Sequence, residues 1–378
     1  MTEIYVIRHV QAEGNLYRHM QGHWDGDVTA LGRRQRDALA ERFRDIPVDA
    51  VYSSDLYRAR FTATAVTKYH PELSIQPDRR LREIGVGPWE AVPFANAIWE
   101  TPELFDTFIH DQENFYLEGA ETYRQVQLRT LEALREIAEA NPGRTVAITT
   151  HGIAIRCMLT GLLGLSLNDT EAVPLCSNTG VAHLLYEDGH FTVDYLNDVS
   201  HLPPELRSEP DRRPALRHIC IDPAEHRDFY ERCYADSWQN AHGDLSDFRA
   251  ETYYEAALAH HRADPESVML LLNGDEPAGL LDLDPERGAR AGYGWISLLY
   301  LLPEYRGQGL GVQVLGRATA HFENLGRSAL RLHAAEDNPA ALAFYKKWDF
   351  EPLSWTEGAR GKLWLLEKKL RGQGHGTL

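Results

Sequence analysis

Long apolar runs are missing from this sequence, cysteine is scarce, and basic residues are outnumbered. No stretch reaches the roughly 18 consecutive apolar residues that a membrane-spanning helix needs. The opening residues MTEIYVIRH read as a strand at once, without the basic segment and apolar core of a secretory leader. Neither export nor membrane insertion is expected. The four cysteines, Cys157, Cys176, Cys220 and Cys233, include no CxxC pair and do not cluster with histidine. A disulfide framework and a metal site are therefore not expected, and a reducing cytoplasm is the expected setting. Lysine plus arginine number 39 against 56 aspartates and glutamates, a formal charge of -17 to which both halves of the chain contribute. Such a field repels nucleic acid and anionic membranes. An anionic ligand must then be small, and held by a local group of arginines in a deep pocket.

What is present suits two domains: 378 residues, of which 43% are hydrophobic and 25% charged. Over residues 1–202, short apolar strands (IYVI, AVYSS, TVAITT, GVAHLLY) alternate with amphipathic helical stretches at 31–44, 120–140 and 153–163. This pattern predicts an α/β domain with a mainly parallel sheet between two helical layers. Residues 203–214, PPELRSEPDRRP, have no periodicity and read as a linker. From 215 to 370 the order is strand, two helical stretches near 224–238 and 246–261, a hairpin around Asn273-Gly274-Asp275, the long strand GWISLLYL, a glycine-rich turn, a helix near 309–325, the strand ALRLHAA, then a last helix and strand. That is a mixed α+β domain. Residues 371–378, RGQGHGTL, read as a flexible tail.

Three segments of the first half put polar groups at expected strand ends: Arg8-His9, SSDLYRARFTATA at 53–65, and TTHG at 149–152. Ligands of open α/β sheets sit at the carboxyl ends of strands. Arg8 and Arg58 could each turn a planar fork to a phosphate dianion, with His9 and His151 beside them. Singly, each has a plainer reading. An Arg-His pair can be a solvated strand end, His151 a satisfied core histidine, and Glu83 a surface carboxylate. Only their convergence on one point would select the chemistry.

RHVQAEGN followed by QGHWDGDVTALGRRQ, then SSDLYRARFTA, LREIGVGPWE, GAETY, TTHG and NDVSHL, in that order, resemble the histidine phosphatases of the phosphoglycerate mutase-like superfamily over residues 1–202. The resemblance implies His9 as a nucleophile that forms a phosphohistidine, and Glu83 as general acid and then base. It implies Arg8, Arg58 and His151 around the phosphoryl oxygens, Asn15 as a further phosphate or substrate contact, and no metal. Two positions depart from the pattern. Val10 stands where glycine is usual, and Ala12 where a hydroxyl is common. If the glycine serves a positive φ, valine is strained by about 1–3 kcal/mol; if it only leaves room, Val10 narrows the pocket. The aromatic-rich segment 88–118 and residues 17–24 could form a substrate lid or pack in the core.

In the second half, GWISLLYLLPEYRGQGLGVQVLGRA (294–318) is a strand, turn and helix whose glycines would let backbone N–H groups meet a pyrophosphate. Alone it could be a plain tight turn. Together with EDNPAALAFYKKWDFEPLSW (336–355) it resembles the coenzyme A-binding core of GNAT-type acetyltransferases, over about 215–370. That resemblance implies acetyl-CoA as co-substrate. It places Arg306, Gly307, Gln308, Gly309, Leu310 and Gly311 at the pyrophosphate, Asn338 before the final helix, and Tyr345 as the acid for the departing thiolate. Asp349 replaces a common glycine, and neither Glu304 nor Ser297 is assigned as a base. The expectation is a bifunctional enzyme acting on a small phosphorylated metabolite and a small amine. The alternative is a phospholigand-sensing first domain that accompanies an active acetyltransferase. Oligomeric state is left open.

Overall fold

Strand β1 (Thr2–Arg8) buries Ile4 and Val6 against one hydrophobic cluster and Ile7 against another. A strand covered on both faces must run through the middle of a sheet flanked by two layers. It does so in the computed structural model, which describes residues 1–208, 213–358 and 361–371. The chain divides into two compact units.

The first unit continues with α1 (Glu13–Tyr17), α2 (Ala30–Phe43), β2 (Ala50–Ser53), α3 (Tyr57–Thr67), β3 (Ile75–Pro77), α4 (Phe94–Glu100), α5 (Pro102–His110), α6 (Tyr123–Ala140), β4 (Thr145–Thr150), α7 (Gly152–Leu162), β5 (Val181–Glu187) and β6 (His190–Asp198). Its six-stranded sheet has the order β3-β2-β4-β1-β5-β6. The first four strands are parallel, and β5 and β6 are antiparallel additions. Leu39 and Phe43 of α2 and Val66 of α3 cover one face; Leu134 and Ile137 of α6 and Ile155 and Met158 of α7 cover the other. Within 203–214, Pro204–Leu206 form a short 3-10 turn; Leu206 is buried, and its carbonyl accepts the Gln35 amide at 2.8 Å. Residues 209–212 lie outside the described residues, as do 372–378 of the expected tail.

The second unit is built from β7 (Arg217–Cys220), α8 (Arg227–His242), α9 (Ala250–Ala263), β8 (Val268–Asn273), β9 (Glu276–Asp284), β10 (Tyr293–Leu301), α10 (Gly311–Asn324), β11 (Ala329–Ala335), α11 (Pro339–Lys347), β12 (Glu351–Gly358) and β13 (Gly361–Lys369). The sheet order is β12-β13-β11-β10-β9-β8-β7. The expected helices at 224–238 and 246–261 thus begin three to four residues later, and the last strand is a hairpin of two. Parallel pairing of β10 with β11 is confined to Tyr293–Trp295 against Ala329–Arg331. Beyond it the two strands part, and β10 carries a register shift between Ile296 and Leu298 on its β9 side.

One buried ionic cluster ties α8 and α9 to β9. Asp282 has no solvent exposure; its carboxylate accepts the Tyr230 hydroxyl and the His260 Nδ1–H, each at 2.7 Å, while His260 Nε2 lies 3.4 Å from Asp284. Burial alone would lower the His260 pKa, but hydrogen bonds to two carboxylates outweigh it and raise it to about 9. A histidine whose folded pKa is raised contributes its full stabilisation below the unfolded value near 6.5 and loses it as pH rises through about 9. Denaturant midpoints for the transition of this unit should therefore fall between pH 7 and pH 9.5, by the equivalent of roughly 2–3 kcal/mol. His260→Gln should remove that slope. An unchanged slope in the variant would show that the cluster is not its source.

Candidate active sites

The parallel register sets Arg8 opposite Thr150, and Thr149 opposite Ser53. The next residues, His9, His151 and Ser54, therefore leave the sheet side by side at its carboxyl edge. His9 Nδ1 is 2.6 Å from the Val10 carbonyl. A carbonyl only accepts, so Nδ1 carries the hydrogen and Nε2 keeps its lone pair. Burial first, then the charges of Arg58 and Arg8, hold the His9 pKa well below the usual imidazole value, so the ring is neutral. The His151 ring lies 5.1 Å away, is neutral through burial and the Arg58 charge, and meets Ser54 Oγ at 2.8 Å through Nε2. Its Nδ1 is buried without a partner.

The two arginines do not offer the free forks expected of them. Arg8 spends Nη1 on the Cys176 carbonyl and keeps Nε buried and unpartnered. Gly152 makes room for it: a Cβ there would sit 3.3 Å from Arg8 Nε. Arg58, with no solvent exposure, is used more heavily. Nη1 donates to the Trp24 carbonyl at 3.0 Å and to Asp25 at 3.4 Å, and Nη2 to the carbonyls of Gly22 at 2.7 Å and Gln21 at 3.4 Å. Only Nε remains unpartnered. The segment that receives Arg58 is held from its other side by Glu90, whose carboxylate accepts the N–H groups of His23 and Trp24 at 2.7 Å each and of Val86 at 3.1 Å. Asp25 also accepts the Tyr57 N–H at 2.7 Å, at the start of the helix that carries Arg58.

Glu83 lies at the first turn of α7, where its carboxylate accepts the N–H groups of Ala154 at 3.0 Å and Ile153 at 3.2 Å. Arg129 fixes its backbone, donating to the carbonyls of Arg80, Arg82 and Glu83 and pairing with Glu121 at 2.8 Å. Asn15 serves a turn: its Oδ1 accepts the Ala12 N–H at 3.1 Å. Val10 is not among the described residues with positive φ, so its backbone is unstrained and the strain alternative falls. Its N–H bonds Thr62 Oγ1 at 2.9 Å and its side chain is fully buried. Of the aromatic segment, Trp89, Phe108 and Phe115 pack with one another and are buried, whereas Trp99 and Tyr116 are exposed.

In the second unit, Gly307 and Gly309 adopt φ of 73° and 74°, left-handed values that favour glycine. Arg306 folds back, with Nε on the Leu301 carbonyl at 2.8 Å and Nη2 on Asp236 at 2.7 Å. Gln308 bonds the Glu304 carbonyl at 2.6 Å and Leu310 is in the core. The turn therefore presents main chain and the start of α10 at Gly311. A cavity of about 420 Å³ opens beside it, lined by Ser237 and Asn240 of α8, Leu299–Leu301 of β10, Arg306, and Asp337–Ala341. Asn338 caps α11 through the Ala341 N–H at 3.0 Å. Tyr345 packs in the core against Phe344 and Phe350, its phenol pKa raised by burial, and is not part of that lining.

Comparison with known proteins decides the family. The model of the histidine phosphatase superfamily (branch 1) matches residues 4–199, and that of the acetyltransferase (GNAT) family matches 224–350. The chain belongs to the histidine phosphatase superfamily, with a GNAT domain fused behind. A metal-independent phosphoserine phosphatase of Arabidopsis thaliana is 32% identical over 207 residues, covering 53% of this chain and 84% of the relative. Phosphoserine phosphatase 1 of Hydrogenobacter thermophilus is 26% identical over 202 residues, covering 53% and 95%. The solved structure of Bacillus stearothermophilus YhfR superimposes with a TM-score of 0.52 at 31% identity, covering 53% of this chain and 99% of that one.

Around the histidine phosphatase site, Glu90, Asp25, Arg129 and Ser54 escaped the sequence reading. Glu90 closes the quoted segment LREIGVGPWE, but its partners are backbone amides, which no side-chain pattern announces. Glu90→Ala should strand three N–H groups and free the segment that holds Arg58, costing on the order of 2–4 kcal/mol of stability. It should also lower kcat/KM, and Glu90→Gln should recover part of both. Unfolding midpoints and kinetics of the two variants check this.

Proposed function

We propose that the histidine phosphatase domain hydrolyses small phosphomonoesters through a phosphohistidine at His9, without a metal. The observation that carries this reading is the set of three buried nitrogens with no partner, Arg8 Nε, Arg58 Nε and His151 Nδ1, in residues that surround a neutral imidazole. Buried donors are normally satisfied, and a phosphoryl group would satisfy all three. In the forward step His9 Nε2 bonds to phosphorus as the ester P–O bond breaks. Arg8, Arg58 and His151 face the equatorial oxygens, where charge spreads in the transition state. Glu83 gives its proton to the leaving alkoxide. It then takes a proton from water as the water oxygen bonds to phosphorus and the N–P bond breaks, which restores His9 and releases phosphate. Asn15 Nδ2, whose amide oxygen is engaged by Ala12, is the remaining substrate contact.

Phosphoserine is the first substrate to try, because two of the similar proteins are named phosphoserine phosphatases. The GNAT domain, in this reading, transfers acetyl from acetyl-CoA to a small amine. The turn 306–311 and Asn338 hold the cofactor and the parted edge of β10 polarises the thioester; the acid for the thiolate is assigned to Tyr345 by the resemblance alone, since its ring packs in the core and is not part of the cavity lining. Two observations favour a second reading, a phosphate sensor without turnover. Ala12 brings no hydroxyl, and Arg58 has four of its donors committed to protein.

Rapid quenching with phosphate-labelled substrate separates the two. The first reading predicts an acid-labile, alkali-stable label on the wild type, no label and at least a thousandfold lower kcat in His9→Ala, and full activity in chelator. Turnover retained by His9→Ala, or abolished by chelation, would overturn it. Phosphate binding without turnover would establish the sensor.

A further inference from the structure

The turn that carries the nucleophile is held by side chains at both of its first peptide planes. The Val10 carbonyl that orients the His9 ring belongs to the same peptide unit as the Gln11 N–H, which donates to Gln35 Oε1 at 2.8 Å. The plane that sets the imidazole is thus gripped at its opposite edge by a side chain without solvent exposure. The unit before it is held in the same way: the His9 carbonyl accepts the Asn178 Nδ2–H at 3.0 Å, and the Val10 N–H donates to Thr62 at 2.9 Å. Gln35 and Asn178 therefore fix the backbone from which the ring is aimed.

Both side chains are set in turn by residues of 203–214, the stretch that reads as linker in the sequence. Gln35 Nε2 donates to the Leu206 carbonyl at 2.8 Å and to Ser208 Oγ at 3.2 Å, and Ser208 passes its own hydrogen to Asn178 Oδ1 at 3.0 Å. The direction of these bonds is forced. A backbone N–H only donates, so Gln35 presents its oxygen to Gln11 and its nitrogen to Leu206 and Ser208. The Ser208 hydroxyl then spends its proton on Asn178, whose oxygen faces Ser208 and whose nitrogen faces the His9 carbonyl. One hydroxyl joins the two supports of the nucleophile turn. Leu206 and Ser208 belong to the first compact unit but lie beyond residue 199, where the histidine phosphatase match ends.

We propose that Ser208 is a positioning residue of the phosphatase reaction, acting through Asn178 and Gln35 on the turn that aims His9, so that the start of the connector is part of the phosphatase machinery. Its kinetic test rests on His9 as nucleophile; its spectroscopic test does not. With p-nitrophenyl phosphate as the probe, the full-length Ser208→Ala protein should show kcat about tenfold lower and KM within about twofold of wild type. Ser208→Thr, which keeps the hydroxyl, should recover most of the loss, and both variants should unfold near the wild-type midpoint. Nitrogen NMR of imidazole-labelled protein should show the Nδ1–H tautomer of His9 in wild type and in Ser208→Thr, and a mixture with Nε2–H in Ser208→Ala. An unchanged kcat, an unchanged tautomer, or a loss that Ser208→Thr shares would each overturn the proposal. If the wild type binds phosphate without turning over, the phosphohistidine reading fails, and the tautomer comparison still decides this inference by itself.

Discussion

A single guanidinium without solvent contact, that of Arg58, is the constraint on which the phosphatase site depends. Burying a cation costs several kcal/mol unless its donors are satisfied. Here Asp25 and three main-chain carbonyls receive four of the five, which explains why the segment 21–25 must pass where it does. That segment has amides as well as carbonyls, and Glu90 collects them. The resulting strut fixes the plane of Arg58 and leaves one donor over. The same buried charge lowers the proton affinity of His9 and His151, so one residue both fixes the geometry and keeps the imidazoles neutral. Arg8 adds to the effect on His9 from the end of β1.

On the proposed reading, the chain meets the problem of holding phosphate under a charge of -17 in two different ways. In the histidine phosphatase domain the anion site is a set of buried side-chain nitrogens, desolvated and pre-aimed, suited to charge that develops during reaction. In the GNAT domain it is a bend of main chain, with two glycines at positive φ and a helix start behind them. A cofactor that must enter and leave suits the second arrangement, and a transition state the first.

Much of this was legible in the sequence because it is carried by side chains at strand ends. Parallel strands of matched register bring Arg8, His9, Ser54 and His151 to one edge, and that follows once IYVI, AVYSS and TVAITT are read as neighbouring strands. Contacts made to main chain were not legible. Glu90, Arg129 and Asp25 hold backbone groups of loops whose paths no local pattern sets. In residue letters Arg58 reads as a fork for phosphate, because the carbonyls that occupy it are invisible there. The residue letters do not set the φ of Val10, which is not positive, so strain is excluded there only by the structure. Strand β6 carries little apolar signal, because it is an edge strand with no fully buried residue.

Titration of His9 by nitrogen NMR is the most direct test of the central claim, that burial and two arginines hold a neutral nucleophile before unpartnered donors. With imidazole nitrogens labelled and His9→Asn as the assignment control, the ligand-free enzyme should show His9 as the Nδ1–H tautomer from pH 8 down to pH 5. Orthovanadate should then shift His9 Nε2 and His151 Nδ1 together. A His9 that gains its second proton near pH 6.5, or vanadate binding that leaves both nitrogens unchanged, would contradict the account.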